Sequence, residues 1–580
     1  MPKFKYLNNA YGAIVFLIIL SLTVKPVLAQ TVNPDQIPTP IPIIREPQEV
    51  LPPLPSSGKQ TLEPASIKSP NEIPDSNQVT FKVDRFVFKG NTVLTTQQLE
   101  AVVAPFTGKE ITLTELYAAR SAVTDLYLEQ GYVTSGAFIP INENQAINAN
   151  GAVITIQVVE GKLEKINITG GSHLQNYVLS RLPSQNEVVN SNRVTEALLL
   201  LQQDPLIETI SAELNKSSQI SKTVLNILVK QREPFKAEAF LDNHRSPAVG
   251  SFQRGIQLNH ANLLGLGDSL SVGYRNTDGS STIATSYSIP INPQNGTLQF
   301  DYVNASTNII ERPFSSLDLI SNARAYQFTY RQPLIRKADN KSYQEFALGL
   351  TFSRLESDSS IDGTPYPLTK GADSTGRTRI SAMRFFQDWT QRYLKGAFLL
   401  RSEFSWGIDA FDATINNSAP DGQFLSWQGQ AAWLRQLSSN VVLLARAEIQ
   451  LADRRLAALE QFSLGGATTI RGYREDTFVA DNAALISAEL RIRAWTGEEG
   501  EIHVIPFIGL GTAWNNGKSD ELNPDFTGTL ASVGLGLQYQ SSDRFNARLD
   551  WGLPLISVDT NTNSRTWQEN GVYLSITYRI

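Results

Sequence analysis

The chain has 580 residues, no cysteine and four histidines, a net charge of −6, and 41% hydrophobic against 18% charged residues. That composition belongs to a folded chain long enough for several domains, and it removes disulfides, iron–sulfur clusters and thiol catalysis. An acidic chain offers nucleic-acid phosphate no general attraction, and His173, His244, His260 and His503 stand in no ligand-like spacing, so neither nucleic acid nor a metal is expected.

In chain order, Lys3 and Lys5 precede an apolar run at 13–24, and Val27, Leu28 and Ala29 supply small residues for cleavage before Gln30. This predicts a secretory signal peptide over 1–29, since the run is shorter than the roughly twenty residues a spanning helix needs. Residues 30–78 are rich in proline, as in Pro38, Pro40, Pro42 and Pro52 to Pro55, and read as an extended linker.

Two short units follow. In the first, at 79–161, a partly alternating strand at 81–89 ends at Gly90-Asn91. Helices are predicted near 96–104 and 114–130, then strands at 132–140 and 152–159. The second, at 162–232, repeats the order: a strand at 163–169, helices near 173–182 and 192–203, and strands near 207–214 and 223–229. One β-α-α-β-β pattern used twice is an internal duplication.

From 235 to 580 helical periodicity disappears and apolar and polar residues alternate. In the last stretch Val572, Leu574, Ile576, Tyr578 and Ile580 share one face, while Tyr573, Ser575, Thr577 and Arg579 share the other. Near 482–495, Ile486, Ala488, Leu490 and Ile492 oppose Ser487, Glu489, Arg491 and Arg493. Near 544–553, Phe545, Ala547, Leu549 and Trp551 oppose Arg544, Arg548 and Asp550. Charges stacked on alternate positions make a poor core but a good lining for water.

About sixteen strands are predicted, within the range of bacterial outer-membrane barrels. Short connections fall near 290–296, 388–392, 436–440, 495–501 and 540–543. Long ones fall near 305–322, 356–376, 407–422, 452–481, 515–526 and 556–569. Short turns at one end and long loops at the other are the pattern of a transmembrane β-barrel with periplasmic turns. Closure is required in lipid, so the first strand, near 236–242, is expected to pair with the last, with Tyr578 and Ile580 on the closing strand.

The loop at 452–481 carries Gly465-Gly466 and then Ile470, Arg471, Gly472 and Tyr473. It resembles the Gly-Gly then Val/Ile-Arg-Gly-Tyr loop of outer-membrane assembly and secretion barrels, and the two small units resemble polypeptide-transport-associated (POTRA) domains. Phe240 to Asn243 resembles the same group's first-strand motif. Two POTRA domains before a sixteen-stranded barrel is the layout of the two-partner secretion transporters (TpsB) of the haemolysin and filamentous-haemagglutinin type.

The resemblance implies that the loop folds back into the barrel and that Arg471 meets an acid on the inner wall. The family's acid lies in a Phe-x-Asp-x-Gly stretch, but here Phe507 to Gly511 carries Gly509 in place of the Asp. Either the tip is held more weakly or another lumenal acid substitutes; the alternation nominates Glu489, with Asp550 and Glu448 behind it.

The implied partners are a secreted exoprotein, large and β-helical, and outer-membrane lipid, with the POTRA domains in the periplasm. No cofactor or catalytic set is indicated, because Gly509-x-Gly511 and Gly534-x-Gly536 lie within strands, without the helix a nucleotide site needs. The alternative is an assembly factor of the same superfamily that inserts other barrels into the membrane.

Overall fold

The computed structural model describes residues 80–140, 147–148, 151–171, 173–219, 221–312, 314–417, 420–517, 527–541, 544–558 and 566–580. The expected signal peptide and proline-rich linker lie outside the described residues.

The first unit runs β1 (Thr80–Lys89), α1 (Thr96–Val103), β2 (Lys109–Thr112), α2 (Leu113–Glu129), β3 (Gly136–Phe138), β4 (Ile147–Asn148) and β5 (Gly151–Val159). Its sheet has the order β2-β1-β5-β3, with β1 and β5 parallel. Both helices begin at capping boxes, Thr95 with Gln98 and Thr112 with Glu115, which satisfy orphan amides at each N-terminus. Leu116, Ala119, Val123 and Tyr127 recur along one stripe of α2 and pack on Ile154, Ile156 and Val158 of β5. The four residues of β2 go beyond the predicted order. Ile111 is their one apolar member, so no periodicity marked them.

The second unit has β6 (Lys162–Thr169), α3 (Gln175–Leu179), α4 (Ser191–Gln202), β7 (Ile207–Lys216) and β8 (Lys222–Gln231), in the sheet order β6-β8-β7. Only residues 160–161 separate it from the first unit, and Glu160 anchors the end of β5 to that first unit. Its carboxylate accepts from Thr92 N (2.6 Å), Val93 N (3.0 Å), the Thr92 hydroxyl and Tyr127 Oη (2.9 Å). Burial pushes this carboxyl up, but the bonds from Thr92, Val93 and Tyr127 outweigh it and hold Glu160 below the usual carboxylate range.

A closed antiparallel barrel of sixteen strands follows. Its first seven are β9 (Phe235–Asp242), β10 (Gln253–Ala261), β11 (Ser269–Asn276), β12 (Ser280–Pro290), β13 (Thr297–Asn308), β14 (Leu319–Ala338) and β15 (Ser342–Ile361). After the short extension β16 (Thr364–Pro365) come β17 (Arg377–Tyr393), β18 (Gly396–Ile408), β19 (Leu425–Gln436) and β20 (Val441–Ala452). A hairpin of β21 (Phe462–Leu464) and β22 (Phe478–Ala480) interrupts the wall. The circuit then continues through β23 (Asn482–Gly497), β24 (Gly500–Trp514), β25 (Thr527–Ser541), β26 (Phe545–Pro554) and β27 (Val572–Arg579).

Side chains alternate as lipid outside and water inside demand. Ile486, Ile508, Leu510, Leu535, Leu537 and Trp551 are exposed on the outer wall, whereas Glu489, Ser532 and Asp550 are buried facing the lumen. Closure joins β27 to β9 antiparallel, from Ser575 opposite Asp242 to Arg579 opposite Glu238, with Tyr578 opposite Ala239 and Ile580 N donating to Ala237 O at 2.8 Å.

Two connections differ from expectation. The predicted turn at 388–392 is strand, and β17 runs on to Tyr393. Asp388 and Arg392 resemble turn residues, but they line the lumen, where Asp388 bonds Arg331 and Arg401. The external link between β11 and β12 is only residues 277–279, closed by Thr277 N on Ser280 O at 2.8 Å.

Candidate functional site: the inward-folded loop

The connection at 453–481 runs from the outer end of β20 across the lumen before the chain re-enters the wall at β23. Leu456, Ala457 and Leu459 first pack on Val303, Ala325, Leu355 and Ile380 of the facing wall. There Glu460, 1% exposed, forms a two-pronged ion pair with Arg384 of β17, at 2.6 and 3.1 Å. Ser353 and Ser405 hold the same guanidinium from the neighbouring strands. The chain then returns as the β21–β22 hairpin, whose Phe462, Leu464 and Ile470 pack on Ala483, Leu485, Ala513 and Leu530.

At the tip, Arg471 Nη2 lies 2.9 Å from Glu489 Oε2 on β23, and Nη1 lies 3.2 Å from Asp550 Oδ2 on β26. The guanidinium also stacks over the Phe507 ring at 3.7 Å. Glu489 takes Arg548 (3.0 Å) and Arg491 (2.9 Å) as well, and Arg548 bonds Asp550 at 2.9 Å. Three guanidiniums therefore share two carboxylates beside a cavity of about 150 Å³ lined in part by His244, Arg446 and Thr468. A buried guanidinium left unpaired costs several kcal/mol, roughly 3–5 when one partner of a buried pair is lost. The tip is therefore held by charge as well as by packing.

Gly472 adopts φ +106° and lies against the wall, where a Cβ would stand 3.2 Å from the Gly552 carbonyl carbon. Its amide donates to Tyr573 Oη at 3.0 Å, and that hydroxyl donates to Tyr473 O. Tyr473 Oη donates to Ala531 O at 2.7 Å. Ile470 covers Gly509: a Cβ there would stand 3.2 Å from Ile470 Cδ1. A side chain at 509 would thus meet Ile470 first. Glu448 lies on the lumenal face of β20 opposite Leu485, farther toward the cell exterior than Leu444, which stands opposite Glu489.

Gln568 carried no recognisable signal, whereas Asn243 belongs to the first-strand motif, which did not say what its side chain holds. Gln568 Oε1 accepts from Glu475 N in the loop (3.0 Å), while its Nε2 donates to Asn243 O and to Arg245 O (2.8 Å). Asn243 in turn holds Val572 O (2.9 Å) and Leu574 N (2.7 Å) of the closing strand through its side chain. The loop tip is therefore bonded to both sides of the seam. The acid of the Glu460–Arg384 pair had one available cue, a lone charge ending the apolar stretch Leu456 to Leu459.

The second small unit sits against the periplasmic rim. Arg181 donates to Asn295 of the β12–β13 turn at 2.7 and 3.0 Å and stacks on Tyr177 at 3.5 Å. Arg392 of β17 donates to Gln203 at 2.8 Å, and Asn262 donates to His173 O at 3.2 Å.

Comparison with known proteins accords with this geometry. Residues 81–161 match the POTRA domain of ShlB type, and residues 221–539 match the haemolysin secretion/activation protein family ShlB/FhaC/HecB. The chain is 25% identical over 503 residues to the outer membrane transporter CdiB of Escherichia coli O6:K15:H31, spanning 85% of this chain and 82% of that one. It is 19% identical over 495 residues to the heme/hemopexin transporter protein HuxB of Haemophilus influenzae, spanning 82% and 83%. Solved structures of CdiB from E. coli and Acinetobacter baumannii share the fold, with TM-scores of 0.65 and 0.60 at 22% and 15% identity. Each covers 89% of this chain, and 93% and 94% of theirs. The family match extends over more than half of the sequence, and the chain belongs to the haemolysin secretion/activation protein family.

Proposed function

We propose that this protein receives an unfolded exoprotein at its periplasmic POTRA pair and passes it through the barrel past the inward-folded loop, as the transporter of a two-partner secretion system. The supporting observation is a closed, lipid-facing cylinder whose lumen is crossed by a tethered loop and whose periplasmic mouth carries a docked α+β unit. A passive porin needs no such docked unit. The positioned charges of the lumen suit guiding a chain, and the function we infer is conduction without catalysis or nucleotide hydrolysis.

The sheet edges of the second unit suit an extended client. Gln202 bonds Ile210 N and Glu208 O on the outer side of β7, and beyond them Ser211 to Lys216 continue as sheet edge. Adding a client strand there supplies main-chain bonds with little demand on sequence. The partner we infer is large and β-helical, because coils that fold one after another outside resist return and supply the drive.

The test is deletion of this gene in a cell that carries a large exoprotein. Transport predicts that the exoprotein disappears from the surface and accumulates or is degraded in the periplasm while other outer-membrane barrels assemble normally. General loss of barrels would instead identify an assembly factor.

A further inference from the structure

The outer wall changes character within one row of residues on β14, β15 and β17. The cross-strand register places Tyr330, Leu350 and Phe385 in one outward-facing row and Phe328, Phe352 and Met383 in the next. The row beyond holds Tyr326, Arg354 and Ser381, then come Arg324, Glu356 and Arg379, and then Asn322, Asp358 and Arg377. Phe328 and Leu350 are exposed, as lipid-facing residues are, while the intervening Ala323, Ala325, Leu355 and Ile380 are buried toward the lumen. The end of the apolar rows marks the outer edge of the hydrocarbon, so the charged rows lie at headgroup depth.

Four guanidiniums meet three carboxylates in this belt. Arg354 Nε lies 3.1 Å from Glu356, Arg324 Nη2 3.0 Å from Asp358, Arg377 Nε 3.2 Å from Asp358, and Arg379 Nη1 2.5 Å from Asp412. Side-chain exposures of 44%, 51% and 24% leave donor edges of the Arg324, Arg377 and Arg379 forks open at the surface, whereas Arg354, 11% exposed, is spent on Glu356 and Ser381. Ion pairing alone does not account for the neighbour of Asp412. Phe411 is 71% exposed, its ring centroid 5.4 Å from that of Phe352, and both Phe411 and Asp412 hold left-handed backbone, at φ +55° and +63°. Such a conformation in two successive residues other than glycine persists only where the surroundings impose it. Here it presents an aromatic ring beside the last apolar row, where amphipathic interfaces place their rings.

We propose that Arg324, Arg377 and Arg379, with Phe411 as the apolar wedge, form a binding site for the phosphorylated headgroup of an outer-leaflet lipid. The fork geometry of arginine matches phosphate oxygens, and the ring adds contact with the acyl region just below. The site rests on the barrel's lying in a membrane and not on what passes through it.

The experiment uses the full-length protein purified in neutral detergent, with bound lipid counted by native mass spectrometry. The probes are short-chain phosphatidic acid, phosphatidylcholine of the same chains, and inorganic phosphate. Wild-type protein retains phosphatidic acid over phosphatidylcholine, and Arg324→Gln with Arg379→Gln weakens that retention about tenfold, as expected for losing charge-assisted bonds. Phe411→Ser, on a loop outside the strands, also weakens it, and with Arg377→Gln decides the matter if the double variant fails to fold, as judged by heat-modifiable gel mobility. Equal retention of the two lipids, or undiminished phosphatidic acid on the folded variants, overturns the proposal. Displacement by inorganic phosphate at equal concentration makes this a free-anion site and overturns the lipid assignment, whereas an exoprotein that still reaches the surface in these variants leaves it untouched.

Discussion

Glu489 carries the charge balance of the loop tip, because Arg471, Arg491 and Arg548 all bond to it. Glu489→Gln therefore leaves three guanidiniums beside Asp550 alone, whereas Asp550→Asn removes a partner from only two. The first variant should lower the heat-unfolding temperature and secretion more than the second, with a gap of roughly 2–3 kcal/mol set by the cost of unpaired buried charge. Circular-dichroism melting of both variants in detergent checks the order. Gly509→Asp restores the family's residue type at a position over which Ile470 stands, so the new side chain presses on the loop. Displacement of the tip and a larger single-channel conductance are expected; an unchanged conductance would show that the tip tolerates an acid there. Glu489 and Asp550 were legible in the sequence because strict alternation assigns them to the lumen. Glu460 and Tyr573 were not: the first sits in an irregular segment with no period to place it, and the second was marked as lumenal without a sign of what it meets.

Among elements, single side chains hold backbone groups at the joint between β5 and β6 and at the seam between β27 and β9. At the joint, the folded Glu160 carboxyl lies below the usual range, so its stabilisation is present above the unfolded value of about 4.3 and fades as pH falls through the lower folded value. Glu160→Gln should therefore melt earlier than wild type near neutral pH, with the two curves drawing together as pH falls through the lowered folded value. A pH series of melts followed at the POTRA helices measures this. At the seam, the Asn243 side-chain amide adds two bonds to the backbone bond from Asn243 N to Leu574 O, and Gln568 ties it to the loop. Asn243→Ala should raise hydrogen exchange at Leu574 and Val572 well above that at the β14–β15 pairing, with about 1–3 kcal/mol of local protection lost to an unsatisfied buried group. Most barrel strands were legible from period-two alternation. The reading failed at 388–392 because polar residues in a row signal a turn in a soluble protein, whereas a water-filled lumen accepts them within a strand. β2 escaped because four residues hold too little pattern.

For the whole molecule, the α+β pair, the rim contacts and the lumenal loop form one connected path from periplasm to exterior. Arg181, Arg392 and Asn262 set the position of the second unit at the mouth. Arg181→Ala with Arg392→Ala should broaden the distance distribution between spin labels at Lys165 and Lys395, measurable because the chain has no cysteine of its own. A wide distribution already present in the unaltered protein would mean that the docking is transient. The order of units and the barrel were readable along the sequence, whereas this docking was not, since contacts between distant rim turns and α3 or α4 leave no periodic trace.

For the client to pass, the loop must leave its place. Ile470→Cys with Gly509→Cys places two thiols at the contact between loop and wall, in a chain that offers no other disulfide. Secretion of the exoprotein measured with the pair oxidised, and again after reduction, is the most direct test. Secretion blocked in the oxidised state and restored on reduction is predicted; undiminished secretion with the disulfide fully formed would contradict transport through this lumen.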